Sequence, residues 1–122
     1  MNGFFDSAEF AFLDFELDGC VPRCNLSDLD KSLVEKLTAL YEKNPFKITS
    51  AYRSVEYELS KHRPGTSSHC KGLAVDVYAP NGLTKLHIVR DALNVGFQRI
   101  GIGSNFIHLD VDIDKPKSIW TY

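Results

Sequence analysis

The sequence predicts an α+β domain: a small antiparallel sheet flanked by helices. Three observations lead there. Leucines recur at helical spacing between residues 29 and 40. Three segments in the C-terminal half, Leu73–Tyr78, Phe97–Ile102 and Phe106–Ile113, read as strands. The last two are separated only by Gly103-Ser104-Asn105, a hairpin connection. Helices mixed with locally paired strands argue against a doubly wound parallel sheet.

The elements follow in chain order. The first fifteen residues carry Phe4, Phe5, Phe10, Phe12 and Phe15, read as core packing, with Ser7 capping a short helix. Ser27 has the chemistry of an N-cap and Asp30 supplies first-turn charge, so a helix is expected from about Asp28 to Glu42, ended by Asn44-Pro45. Phe46–Ser50 is a short strand candidate, and Val55–Lys61 one or two helical turns. Arg63-Pro64-Gly65-Thr66 reads as a loop. In Leu73–Tyr78, Leu73, Val75 and Val77 share one face, and Ala74, Asp76 and Tyr78 the other. Thr84 is placed to cap a helix over Lys85–Val95, with Gly96 as its stop.

With 122 residues, the chain has room for a single domain, 1–122, around one core. A net charge of −2 gives no basic field for nucleic acid or an anionic membrane. No apolar run approaches membrane-spanning length, and no secretory signal is visible. The expected state is a monomer. Cys20, Cys24 and Cys70 make an odd count, which argues against a disulfide framework and for incidental roles.

The densest chemistry lies in Ser67–Asp76, which reads S-x-H-x-x-G-x-A-x-D, and in Phe106-Ile107-His108-Leu109-Asp110. Two histidines and an aspartate are a common set for a catalytic zinc, leaving the fourth position open. On the last strand, Ile107, Leu109, Val111 and Ile113 form an apolar face, and His108, Asp110 and Asp112 the other. Same-face neighbours lie about 6.5–7 Å apart, so His108 and Asp110 project together. His69 and Asp76 would be about 23 Å apart on opposite faces of an extended chain. They converge only if the chain bends, and Gly72 permits that bend. His69 and Cys70 point to opposite sides, which speaks against Cys70 as a ligand.

This ordered pattern resembles the zinc D-Ala-D-Ala carboxypeptidases and related peptidoglycan peptidases, which share the fold of the hedgehog signalling domain. The resemblance spans about Ile48 to Trp120. Ser50-Ala51-Tyr52-Arg53-Ser54 is similar to the family's S-x-Y-R-S stretch, and Trp120 to a tryptophan that follows its H-x-D strand. It implies His69, Asp76 and His108 as ligands of one zinc ion. It also implies Arg53 as a residue that contacts substrate and Ser67 as a hydrogen-bonding partner of the bound peptide. The implied activity is hydrolysis of peptidoglycan stem peptides or cross-bridges, as carboxypeptidase or endopeptidase. Cytoplasmic synthesis with delivery to the cell wall by lysis or a phage particle would fit.

The sequence departs from the pattern at one position. Several relatives carry an acid three residues before the last zinc histidine, and here that residue is Asn105. Asp110 is the nearest carboxylate, either as general base or as a group that orients a ligand. Asp112, one pleat further, is expected to be a solvated acid. His87 is expected on a helix surface, and His62 in the loop that approaches the site. The alternative reading is a zinc-containing binding module of the same fold without turnover, and a third is a metal-free structural domain.

Overall fold

The computed structural model describes residues 10–122. Phe4, Phe5 and the expected cap at Ser7 lie outside the described residues. Among the described residues four helices, α1 (Ala11–Asp18), α2 (Lys31–Lys43), α3 (Val55–Ser60) and α4 (Gly82–Val95), accompany five strands. The strands are β1 (Ile48–Ser50), β2 (Ala74–Tyr78), β3 (Arg99–Ile102), β4 (Phe106–Asp110) and β5 (Ser118–Thr121). They form one sheet in the order β1-β2-β4-β3-β5. All neighbours are antiparallel except β3 and β5. The α+β class read from the sequence is the observed one.

The core lies against one face of the sheet. Val75, Val77, Ile100, Ile107 and Leu109 are buried with Leu33, Val34, Leu37 and Leu40 of α2 and Ile88 and Ala92 of α4. Burying that apolar area is the main favourable contribution to folding. The aromatic N-terminal region splits: Phe10 is buried, Phe12 stacks on Tyr41 at 4.1 Å, and Phe15 is exposed. Cys20 and Cys24 belong to the core as free thiols, and burial pushes the Cys20 thiol up to about 12.

Several boundaries differ from expectation. Residues 26–28 form a 3-10 turn, and α2 starts at Lys31 with Asp30 as its cap, accepting from the Ser32 amide at 2.9 Å. Burial of both Leu26 and Leu29 requires an extended residue between the turn and the helix, which displaces the cap from Ser27 to Asp30. Asn81 rather than Thr84 caps α4, accepting from the Thr84 amide at 2.9 Å. Gly96 ends that helix at φ +102°, the left-handed stop that was expected.

Strand β4 ends at Asp110, before the alternation seen in the sequence runs out. Val111 packs against the core, but Ile113 is 94% exposed. Asp112 is not solvated. It is 2% exposed and accepts from Ser68 Oγ at 2.8 Å and Lys71 Nζ at 3.1 Å. The Val111 amide still bonds the Leu73 carbonyl beside β2, and the next amide, that of Asp112, is accepted by Asp110 Oδ1 in a turn that leaves Asp112 buried. Strand β5 escaped the sequence reading: Ser-Ile-Trp-Thr has no buried face to produce an alternating pattern.

Candidate metal centre

The face of the sheet opposite the core carries the site. One row of paired residues crosses all five strands: Ser50, Asp76, His108, Gly101 and Trp120. Side chains at paired positions project to the same side. Asp76 and His108 are therefore neighbours by register alone. Gly101 has no side chain, and the Trp120 indole fills the space: a Cβ there would meet the ring at 2.7 Å. The indole lies 5.5 Å from the His108 ring, centroid to centroid.

His69 reaches the row from outside the sheet. Residues 68–71 form a 3-10 turn capped by Ser67 Oγ, which accepts the His69 amide at 3.2 Å. Gly72 follows at φ +71° in the left-handed region and redirects the chain into β2. A Cβ at Gly72 would lie 2.1 Å from the Asp28 carbonyl oxygen, so conformation and contact both require glycine. The bend expected at this residue is what brings His69 to Asp76.

Asp76 Oδ1 lies 3.2 Å from His69 Nε2 and 3.2 Å from His108 Nδ1. Two ligands about 2.0–2.2 Å from one zinc at a tetrahedral angle sit about 3.4 Å apart. Three donor atoms, one from each residue, lie within 4.8 Å of one another. The spacing and the N,N,O chemistry fit a zinc ion. Each imidazole is fixed from behind: His69 Nδ1 lies 2.7 Å from the Ala51 carbonyl, and His108 Nε2 lies 2.7 Å from Asp110 Oδ2. These partners leave His69 Nε2 and His108 Nδ1 as the nitrogens turned toward Asp76, where they could hold a metal ion.

The electrostatics follow from the same contacts. Burial raises the Asp76 carboxyl, but hydrogen bonds and charge from His108 and His69 outweigh it and hold the group well below the usual carboxylate range. Burial would lower His108, yet Asp110 and Asp76 leave it raised overall. Asp110 is 1% exposed, with Oδ1 accepting from Arg99 Nε at 2.7 Å and from the Asp112 amide. Against the upward push of burial, those donors and His108 keep its carboxyl low.

A cleft of about 420 Å³ is lined by His69, Asp76 and His108. Arg53 and Ser67 both line it, as do Glu58, Arg63, Lys115, Phe106 and Tyr122. Arg53 Nη1 donates to Ser50 Oγ at 2.8 Å and lies 3.8 Å from Asp76 Oδ2. The Ser50–Ser54 stretch also supports His69 through its backbone, with the Arg53 amide donating to the His69 carbonyl. Asp110 does not line this cleft, and neither does Asn105, which is exposed in the β3–β4 turn. His62, at φ +61°, and His87 are also outside the lining. Cys70 is not one of the clustered metal donors.

Sequence reasoning missed three contributors, Glu58, Ser68 and Arg99, and took a fourth, Asp112, for a solvated acid. A signal for Arg99 existed. A hairpin centred on Ser104-Asn105 pairs Arg99 with Asp110, the observed register. Glu58 gave no such signal, because its partner Arg63 is set by the path of a loop.

Comparison with protein families matches residues 6–110 to the family described as Peptidase M15. No curated protein matches the chain at a significant level.

Proposed function

The chain belongs to the peptidase M15 family, and from that premise we propose that it is a zinc peptidase acting on peptidoglycan stem peptides or cross-bridges. The observation that carries the reading is the placement of Asp76 Oδ1 at 3.2 Å from both histidine nitrogens beneath an open cleft. A zinc ion there would be held by His69, Asp76 and His108, and would supply Lewis-acid polarisation of a carbonyl and activation of water near neutral pH.

The remaining chemistry belongs to the chain's own residues. On this reading Arg53 contacts a peptide carboxylate or carbonyl and the Ser67 hydroxyl bonds the peptide backbone, which their position in the cleft lining supports. Asp110 acts through His108. Buried behind the ring and engaged at both oxygens, it orients the imidazole and raises its basicity. This geometry favours the orienting role over that of general base.

One observation favours the alternative, a zinc-containing binding module. Among the described residues lining the cleft, the carboxylates are Asp76 and Glu58, and both are already bonded. Digestion of purified peptidoglycan, read by mass spectrometry with and without a chelator, decides between them. Chelator-sensitive release of D-alanine or shorter muropeptides is expected. Intact muropeptides after incubation with zinc-replete protein would leave the binding module as the better reading. No described helix is long and apolar enough to cross a membrane.

A further inference from the structure

We propose that Glu58 is a positioning residue that holds the Arg53 guanidinium away from the metal ligands and toward the substrate. The inference rests on the substrate-contacting role of Arg53 given above.

Glu58 is a carboxylate only 1% exposed, on α3 in the wall of the cleft. Burying an unpartnered carboxylate is costly, so its surroundings must supply cations. Oε2 accepts from Arg63 Nε at 2.8 Å and from Arg63 Nη2. Oε1 lies 3.2 Å from Arg53 Nε. The Arg63 amide also donates to the Glu58 carbonyl at 2.9 Å, so the loop that supplies Arg63 is tied to α3 twice. Arg63 thus anchors one oxygen and leaves the other for Arg53.

The position of Arg53 shows what this arrangement does. Its Nε is buried and makes no well-formed hydrogen bond, so charge attraction to Glu58 is its main restraint on that side. Its other near carboxylate is Asp76, 3.8 Å from Nη1. Without Glu58, the guanidinium is drawn toward Asp76, the ligand on which both histidines converge. Arg53 would then be spent on an ion pair inside the site instead of on an incoming carboxylate. Glu58 sets a competing attraction at Nε that offsets the pull of Asp76 on Nη1.

The readout is the discrimination between an acid and its amide, which a purely structural role would not change. Binding of an N-acetylated dipeptide with a free C-terminal carboxylate, and of its carboxamide, is measured by calorimetry on zinc-loaded protein. Wild type is expected to prefer the acid at least tenfold. Glu58→Ala is expected to bring the two affinities within about twofold, and Glu58→Gln, which retains an acceptor oxygen without the charge, to fall between. Zinc stoichiometry and the melting temperature of Glu58→Gln confirm that the variant is folded and loaded. Equal binding of acid and amide by wild type, or an unchanged preference in Glu58→Gln and Glu58→Ala, overturns the proposal. Hydrolysis of peptidoglycan by the same wild-type preparation is scored separately. A preference that depends on Glu58 without any hydrolysis removes the peptidase reading and leaves Glu58 as the residue that positions Arg53.

Discussion

His108 faces Asp76 with one ring nitrogen and Asp110 with the other. Nδ1 lies 3.2 Å from Asp76 Oδ1, and Nε2 lies 2.7 Å from Asp110 Oδ2. Strand register produces both contacts. Asp76 is the direct partner of His108 on β2, and Asp110 is two residues along β4 on the same face. The Asp110 contact keeps a proton on Nε2 and turns Nδ1 toward Asp76, the orientation that a metal between the two would need.

Removing Asp110 should therefore weaken zinc binding without removing a ligand. Asp110→Asn is expected to lose about 10–100-fold in metal affinity, the usual effect of losing a carboxylate behind a ligating histidine. Competition against a coloured chelator measures this directly. Zinc affinity equal to wild type in Asp110→Asn, together with lost hydrolysis, would return Asp110 to the role of proton acceptor.

Zinc removal should lower stability as well as activity, because the three ligands come from the 3-10 turn, β2 and β4. A ligand present at a thousand times its dissociation constant stabilises by about 4 kcal/mol. Calorimetric melting should shift down by roughly 10–20 degrees on chelation and recover when zinc is restored. His69→Ala, which lacks a ligand, should melt at one temperature whether or not zinc is added.

Much of this site could be read from the sequence, and the reason is local. Alternation places Asp76 and His108 on single faces, and the one glycine between His69 and Asp76 marks a place where the chain can bend to bring them together. The elements hardest to read depend on distant partners. Asp112 looked like a solvated acid because alternation assumes that the strand continues. In fact the chain turns inward after Asp110, and Ser68, 44 residues away in sequence, meets it. Likewise β5 pairs parallel to β3, so no hairpin signal announces it.

Asp112 should make stability depend on acid. It accepts from Ser68 and Lys71, with Lys115 Nζ 3.8 Å away, and so ties the turn that carries His69 to the end of β4. Burial pushes its carboxyl up, but these donors win and leave it lowered. A lowered folded-state pKa means that the stabilisation is complete above the unfolded value of about 3.9 and is lost as pH falls through the folded value. Urea denaturation at successive pH values below about 5 should show this loss. Asp112→Asn should be less stable at neutral pH and show a shallower acid dependence. Asp112→Ala, which leaves Ser68 buried without its acceptor, should cost about 1–3 kcal/mol. Parallel acid profiles for wild type and Asp112→Asn would contradict this assignment.

Gly72→Ala tests the bend itself. A Cβ at φ +71° is strained, and here it would also sit 2.1 Å from the Asp28 carbonyl oxygen, a backbone atom that moves only if the segment before α2 moves. That segment is bonded to the same residue, because the Asp30 amide donates to the Gly72 carbonyl at 2.8 Å. Strain of this kind costs about 1–3 kcal/mol from conformation alone, before the clash is added. Any relief comes from shifting the 3-10 turn, and His69 moves with it. The substitution should therefore lower the melting temperature and weaken zinc binding together. Gly82→Ala is the matched control, since a Cβ there meets nothing within 4 Å. It should leave zinc affinity unchanged. If Gly72→Ala lost stability but bound zinc as tightly as wild type, the ligands would be held by the sheet alone, and the turn would not be what places His69.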